Sequence, residues 1–232
     1  MTSEECFREA TRLKRAGDFD GAVEKVREAI ALIPPSPTSW AAISHVSLAQ
    51  ALASAGRDGE AWEEFNWILS TEPPEGMRRS AVFSDMAHVL DKMRLFLQRI
   101  GRADMAVCYG VAKELAEIRS IHVSAIECDE RGRSEGDWFR EAGMREMEAS
   151  TRRTWRDEAR NQRKRLTEAR RAFSALVGGL LLHPSLAGRL PSPRRRAVEK
   201  EICQRFKPML DDPSSFDPNS VVFGVGEIMG VS

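Results

Sequence analysis

The chain holds little from which a reaction centre or a membrane span is usually built. Its 232 residues include four cysteines, four histidines and a single tyrosine. Cys6, Cys108, Cys128 and Cys203 form no CxxC pair, which suits reduced, partly buried thiols better than a disulfide framework. His45, His88, His122 and His183 are scattered, with no HExxH pair and no ligand spacing among them and the cysteines. No metal and no cofactor is therefore expected. The patterns G-x-x-x-x-G-K-S/T and G-x-S-x-G are missing. The glycine-rich finish Gly224 to Gly230 fails the dinucleotide fingerprint, because Met229 stands where a glycine is needed and no helix is expected to follow it. No residue is nominated as catalytic, and the chain is read as no enzyme. The most apolar run, Phe173 to Leu182, is about half the length of a bilayer span. The opening MTSEECFREATRLKRAG is acidic and amphipathic, without the apolar stretch of a secretory signal. The expectation is a cytoplasmic protein that makes no use of a membrane.

What remains is an ordinary soluble composition, 42% hydrophobic and 30% charged, in a chain long enough to bury a core unaided. The zero net charge conceals an asymmetry. Residues 1–138 carry 17 Lys and Arg against 23 Asp and Glu, and residues 139–232 carry 18 against 12, giving −6 and +6.

The most informative feature is internal repetition. AGDFDGAVEKVREAIALIPP, Ala16 to Pro35, aligns without a gap to AGRDGEAWEEFNWILSTEPP, Ala55 to Pro74, at a shift of 39. Gly17 and Gly56 end one helix in a conformation that side chains oppose. Asp18 and Asp58 lie in the turn that starts the next helix. Ala22 and Ala61 are small where two helices cross closely. Val26/Phe65 and Ile30/Leu69 recur at helical spacing and face the core. Pro34 and Pro73 stop the second helix. Upstream, Phe7, Ala10 and Leu13 belong to an earlier helix, as do Val46, Leu48, Ala49 and Leu52 in the second copy. A third, weaker copy centres on IGRADMAVCYGVAKELAEI, with Gly101 and Ala106 at the turn and small-residue positions and Leu97 matching Leu52 at a shift of 45. Gly110 and Lys113 there replace core residues.

A repeated helix–turn–helix of this kind resembles the tetratricopeptide repeat (TPR), and the resemblance covers residues 3–74 well. It departs from the family in two ways. Cys6 and His45 stand where the early tryptophan is usual, and the period of 39 exceeds the family's usual length, with the excess in proline-rich linkers at Ile33–Thr38 and Thr71–Gly76. The fold expected is all-α: a short right-handed α-solenoid of about three hairpins over residues 1–128, a polar break at 129–136 (DERGRSEG), a long basic helix plus a C-terminal capping helix over 137–211, and a loop-like tail at 212–232.

The long helix is expected from Asp137 toward Val177. From Trp155 its inner positions run 4-3-4-3 through Ala159, Gln162, Leu166, Ala169, Phe173, Leu176 and Leu180. Such a seam needs a cover, either the chain's own repeats or a second copy of the chain. Gly178, Gly179, His183 and Pro184 interrupt this helix. Ser192 and Pro193 read as N-cap and first helical residue of the next one, which faces inward with Val198, Ile202, Phe206 and Met209 and ends near Leu210.

Two surfaces are nominated for binding. The resemblance implies a concave groove lined by the first helix of each repeat, here Phe7, Thr11 and Lys14, then Val46, Gln50 and Ala53, then Asp91, Leu95 and Gln98. Its expected occupant is a peptide or helix of a partner protein, which makes the chain a protein–protein interaction scaffold or adaptor inside a larger assembly. The surface lacks the Lys/Asn pattern by which some family members clamp a terminal carboxylate. The second surface is a basic stripe, Arg152, Arg156, Arg160 and Arg163, recurring every three or four residues. Its counter-charge is either intramolecular, for example Glu60, Glu63 and Glu64, or an acidic partner, or nucleic acid bound through phosphates. The stripe has no interleaved aromatics for base stacking. A ligand sensor or an enzyme whose site is assembled from distant residues is the further alternative.

Overall fold

The computed structural model describes residues 1–231 and is all-helical, with ten α-helices and no strand among the described residues. In order they are α1 (Ser3–Arg15), α2 (Phe19–Ala31), α3 (His45–Ser54), α4 (Asp58–Ser70), α5 (Arg79–Arg99), α6 (Ala103–Glu141), α7 (Arg145–Leu181), α8 (Ser192–Arg205), α9 (Lys207–Asp211) and α10 (Pro218–Met229). The chain divides into two compact units. The first comprises 1–78 and 88–102, and the second 79–87 and 103–232. The third copy of the repeat is thus shared between units, and no boundary falls at residue 128.

In the first unit the two clear copies of the repeat fold as the hairpins α1/α2 and α3/α4, with α2 also packed on α3. Local chemistry sets each end. Thr2 caps α1 through a reciprocal capping box with Glu5, and Asp18 accepts from the Gly21 N–H at 2.9 Å to start α2. The repeat offset puts Arg57, not Asp58, at the place of Asp18. Helix α4 accordingly has no side-chain cap, and Asp58 is its first helical residue. Ala22, Val26, Ala61 and Phe65 are buried as their spacing requires. Both second helices stop three residues before their proline.

Gly17, Gly56 and Gly101 all have positive φ, +83°, +75° and +79°. In each turn the next residue's N–H returns five positions, Asp18 to Leu13, Arg57 to Leu52 and Arg102 to Leu97, which is the Schellman closure. A fourth turn of the same kind joins α6 to α7, with Gly143 at φ +75° and Met144 N–H bonded to the Phe139 carbonyl. Replacing Gly143 by alanine puts a Cβ into a conformation that opposes it, and a loss of about 1 kcal/mol is expected by thermal melting. An unchanged melting temperature would contradict the turn.

The second unit is built on α6 and α7, antiparallel along their length. Asp129 accepts from Arg163, Glu135 from Trp155 and Asp137 from Arg152, so partners approach as the chain runs back. Helix α8 packs on α7, and α10 packs on α6 and α8. Residues 79–87 are clipped to α6, where Glu127 accepts from the Ser80 backbone N–H and hydroxyl, and Glu130 pairs with Arg79 at 2.7 Å.

Several expectations are corrected here. DERGRSEG is no break: 129–136 lies inside α6. Its glycines face α7, where a Cβ on Gly132 would lie 2.9 Å from Trp155 Cβ and one on Gly136 2.7 Å from Arg152 Nε. They are small because two helices touch there, not because the chain turns. The interruption comes later, at Ala142–Met144, and α7 begins at Arg145 rather than near Asp137. Gly178 and Gly179 do not end α7, which runs to Leu181 because Val177 and Leu181 are fully buried on either side of them. The seam follows Ala159, Leu166 and Phe173 but then slips by one residue. Val177 and Leu181 are buried while Leu176 is 42% exposed. A helix of 3.6 residues per turn drifts against a 3.5 repeat, and four heptads accumulate most of one position. This seam is covered by α6 of the same chain, so it is not free for self-association.

Ser192 is the first residue of α8 rather than its cap; Pro191 precedes it. The C-terminal helix divides at Phe206 into α8 and α9, since Pro208 has no N–H to continue the ladder. Val198, Ile202 and Phe206 are buried as expected. The tail is not a loop throughout. Asp217 caps α10 by accepting from Ser220 N–H at 2.7 Å, Pro218 opens it and Gly230 closes it at φ +68°. The Gly224–Gly230 stretch is thus this helix and its end. Ser232 lies outside the described residues.

Candidate functional site

The first unit carries two clefts that share a wall, and they take in part of the surface nominated from the repeats. One, about 300 Å³, is lined by Phe7, Ala10, Thr11 and Lys14 of α1, Ala22 and Val26 of α2, and Ser47, Gln50 and Ala51 of α3. The other, about 320 Å³, is lined by Lys14, by Gln50, Ala53 and Ser54 of α3, by Phe65 of α4, and by Lys92, Leu95, Phe96 and Arg99 of α5. Lys14 and Gln50 line both, so the surface is continuous from α1 across α3 to about the last two turns of α5.

Its floor is apolar and fixed. Ala10, Ala22, Val26, Ala53, Phe65 and Phe96 are buried, and the Phe65 and Phe96 rings meet at 5.8 Å between centroids. Arg99 stacks over Phe96 at 5.2 Å, donates to the Ala53 carbonyl, and pairs with Asp58. That tie closes the far end of the groove and holds α5 against the α3/α4 hairpin. The rim is polar. Thr11 donates to the Phe7 carbonyl at 3.0 Å, which turns its hydroxyl back to the helix. Lys14 and Lys92 make no ion pair or hydrogen bond among the described residues, and the Gln50 amide makes none either. Two ammonium groups and one amide therefore face the groove with only water to satisfy them.

Of the nine nominated residues, Phe7, Thr11, Lys14, Gln50, Ala53 and Leu95 line the clefts. Val46 does not; at 3% exposure it belongs to the core of the hairpin. Asp91 and Gln98 are held by Arg94, at 2.7 and 3.2 Å, and line neither cleft. Lys92, Phe96 and Arg99 were missed. Their spacing with Leu95 marks one helical stripe, and that periodicity alone would have found them. The fixed offset from α3 did not, because α5 has 21 residues against 10 in α3 and meets the groove slightly rotated.

The basic stripe is not one surface. Arg152 pairs with Asp137 at 2.7 Å and with Glu148 at 3.0 Å, and these bonds, Asp137 first, raise its already high pKa. Arg163 pairs with Asp129. These carboxylates belong to α6 and α7, not to the expected set Glu60, Glu63 and Glu64; Glu60 is paired with Arg57 and Glu64 with His45. Among the described residues Arg160 reaches only Asp157 on its own helix, at 3.2 Å, and Arg156 has no partner.

Burial pushes the Cys108 thiol up to about 12 and raises Cys128 as well. Among the described residues no group of His, Cys, Asp and Glu is arranged to hold a metal ion, and no helix is long and apolar enough to cross a membrane. Comparison with protein-family models, curated proteins and solved structures found no match to this chain.

Proposed function

We propose that the chain is a TPR-like scaffold whose first unit holds a peptide segment of a partner protein in the groove across α1, α3 and α5. The hairpins α1/α2 and α3/α4 and the Gly101 turn after α5 are read as successive repeats of a short right-handed α-solenoid, and the groove as its inner surface. The observation that carries this reading is the composition of the groove. Its apolar floor gives a bound segment area to bury, and unpaired Lys14 and Lys92 leave positive charge on the rim. A ligand that combines an aliphatic or aromatic side chain with one or two carboxylates satisfies both. The reading invokes no reaction, and the chain acts as an adaptor subunit within an assembly of the cytoplasm.

The test is selection from a displayed random peptide library on the full chain. Enriched peptides are expected to pair Asp or Glu with a large apolar residue. Their binding should fall about 10-fold or more in Lys14→Glu/Lys92→Glu, since each charge-assisted contact contributes roughly 1.5–3 kcal/mol. No enrichment, or enrichment that this double variant leaves unchanged, would sink the proposal.

A further inference from the structure

The arginines of α6 and α7 are treated unequally by their surroundings. Carboxylates of the same hairpin take Arg152 and Arg163, while Arg133 of α6 and Arg153 and Arg156 of α7 are exposed and make no ion pair or hydrogen bond among the described residues. Arg156, Arg160 and Lys164 follow Arg153 at steps of three, four and four residues. They therefore form one stripe on the outer face of α7, extending about 16 Å at 1.5 Å per residue. The carboxylates beside this stripe are Asp157, 3.2 Å from Arg160, and Glu168, 3.9 Å from Lys164; all four of these groups are more than half exposed and screened by water. Arg133 and Arg156 also line one cleft of about 190 Å³, over Gly132 and the Trp155 side chain. The other charged groups of that cleft, Asp129 and Arg152, are already spent on Arg163 and on Asp137 and Glu148. Its uncompensated charge is therefore that of two guanidinium groups.

From this placement we infer that the outer face of α7 binds the phosphate backbone of a nucleic acid, with one phosphate seated between Arg133 and Arg156. Guanidinium forks match paired phosphate oxygens, and a line of like charge at helical pitch suits a chain that carries a charge on every unit. An acidic protein partner fits less well. Protein interfaces are anchored by large apolar or aromatic side chains, and α7 exposes none between Met147 and Leu176. Trp155 lies under Arg131, at 5.4 Å, and is not offered for base stacking. Contact is thus to phosphate and without sequence preference, and it is independent of the groove in the first unit.

Fluorescence anisotropy of a labelled mixed-sequence duplex with the full chain tests this across a salt series. Four to five phosphate contacts give a log–log salt slope of about −4, or about 250-fold weaker binding between roughly 50 and 200 mM salt. Arg133→Gln/Arg156→Gln should lower the slope by about 1, the one phosphate seated between them, and Arg153→Glu/Arg156→Glu/Arg160→Glu should abolish binding while far-ultraviolet circular dichroism shows helicity retained. Arg15→Gln, an exposed arginine of α1, should change neither. No binding at the lowest salt overturns the inference, as does a slope that the double variant leaves unchanged. Tighter binding of poly-glutamate than of the duplex also overturns it, by transferring this face to an acidic protein.

Discussion

Replacing Gly132 by leucine is expected to destabilise the second unit by about 3 kcal/mol, the upper end of the overpacking range, and to lower its melting temperature by roughly 6–12 °C. The reason is the atom that the new side chain would meet. A Cβ at this position lies 2.9 Å from Trp155 Cβ, an atom fixed to the backbone of α7, so no rotamer change relieves the clash and the helices themselves must part. Parting them also strains the neighbouring contacts, Trp155 Nε1 donating to Glu135 at 2.8 Å and Arg152 pairing with Asp137. Alanine at the same place gains up to about 1 kcal/mol in helix propensity but loses more to the same contact, leaving a net loss near 1 kcal/mol. Gly136→Ala should be milder, because its Cβ would meet the side chain of Arg152, whose long stem can swing aside. Gly59→Ala in α4 meets nothing within 4 Å and should stabilise by about 0.5–1 kcal/mol. Calorimetry of the four variants gives a rank order, and an order in which Gly132→Leu is no worse than Gly136→Ala would refute the close crossing.

Glycine also shows where the sequence could be read and where it could not. At Gly17, Gly56 and Gly101 the demand is local: a helix must end in a left-handed residue, and a following short turn and helical stripe announce it. The Ala142–Gly143 pair is the same signal, two residues of the same type as Ala16–Gly17 and Ala55–Gly56, set within charged helical sequence that reads through it. Gly132 and Gly136 are opposite in kind. Their smallness answers to Trp155 and Arg152, twenty or so residues on, and nothing adjacent to them distinguishes a packing glycine from a turn. The α10 helix was read as a loop although its ends, Asp217–Pro218 and Gly230, carry start and stop signals, because its interior glycines depress helix propensity. In the groove, repeat offsets carried from α1 to α3 at Gln50 and Ala53, though not at Val46, which packs in the hairpin core. They failed by about one residue on α5, so Asp91 and Gln98 were named where Lys92 and Arg99 line the cleft. The intramolecular fate of Arg152 and Arg163 required knowing that α6 extends through Asp129 and Asp137, which the two packing glycines concealed.

The slip in the α7 seam can be tested by three truncations of neighbouring residues. Phe173→Ala removes a fully buried ring at the point where the seam is still in its expected phase, and should cost about 3–5 kcal/mol. Past that point the two descriptions of the helix diverge. A strict heptad makes Leu176 the buried residue and Val177 its flank, whereas the structure buries Val177 completely and leaves Leu176 42% exposed. Val177→Ala is therefore expected to cost about 1–3 kcal/mol, and Leu176→Ala less than about 0.5 kcal/mol although it removes more carbon. The inverse order would mean that α7 keeps the 3.5-residue phase to its end. It would then have to supercoil with α6, and Gly178, where an added Cβ would lie 3.4 Å from the Glu199 carboxylate of α8, would turn away from that side chain. Because Ser174 also donates to Glu199, at 2.9 Å, Ser174→Ala should be mild in either phase, and its combination with Val177→Ala should exceed the sum only if α8 packs on the face that Val177 shares.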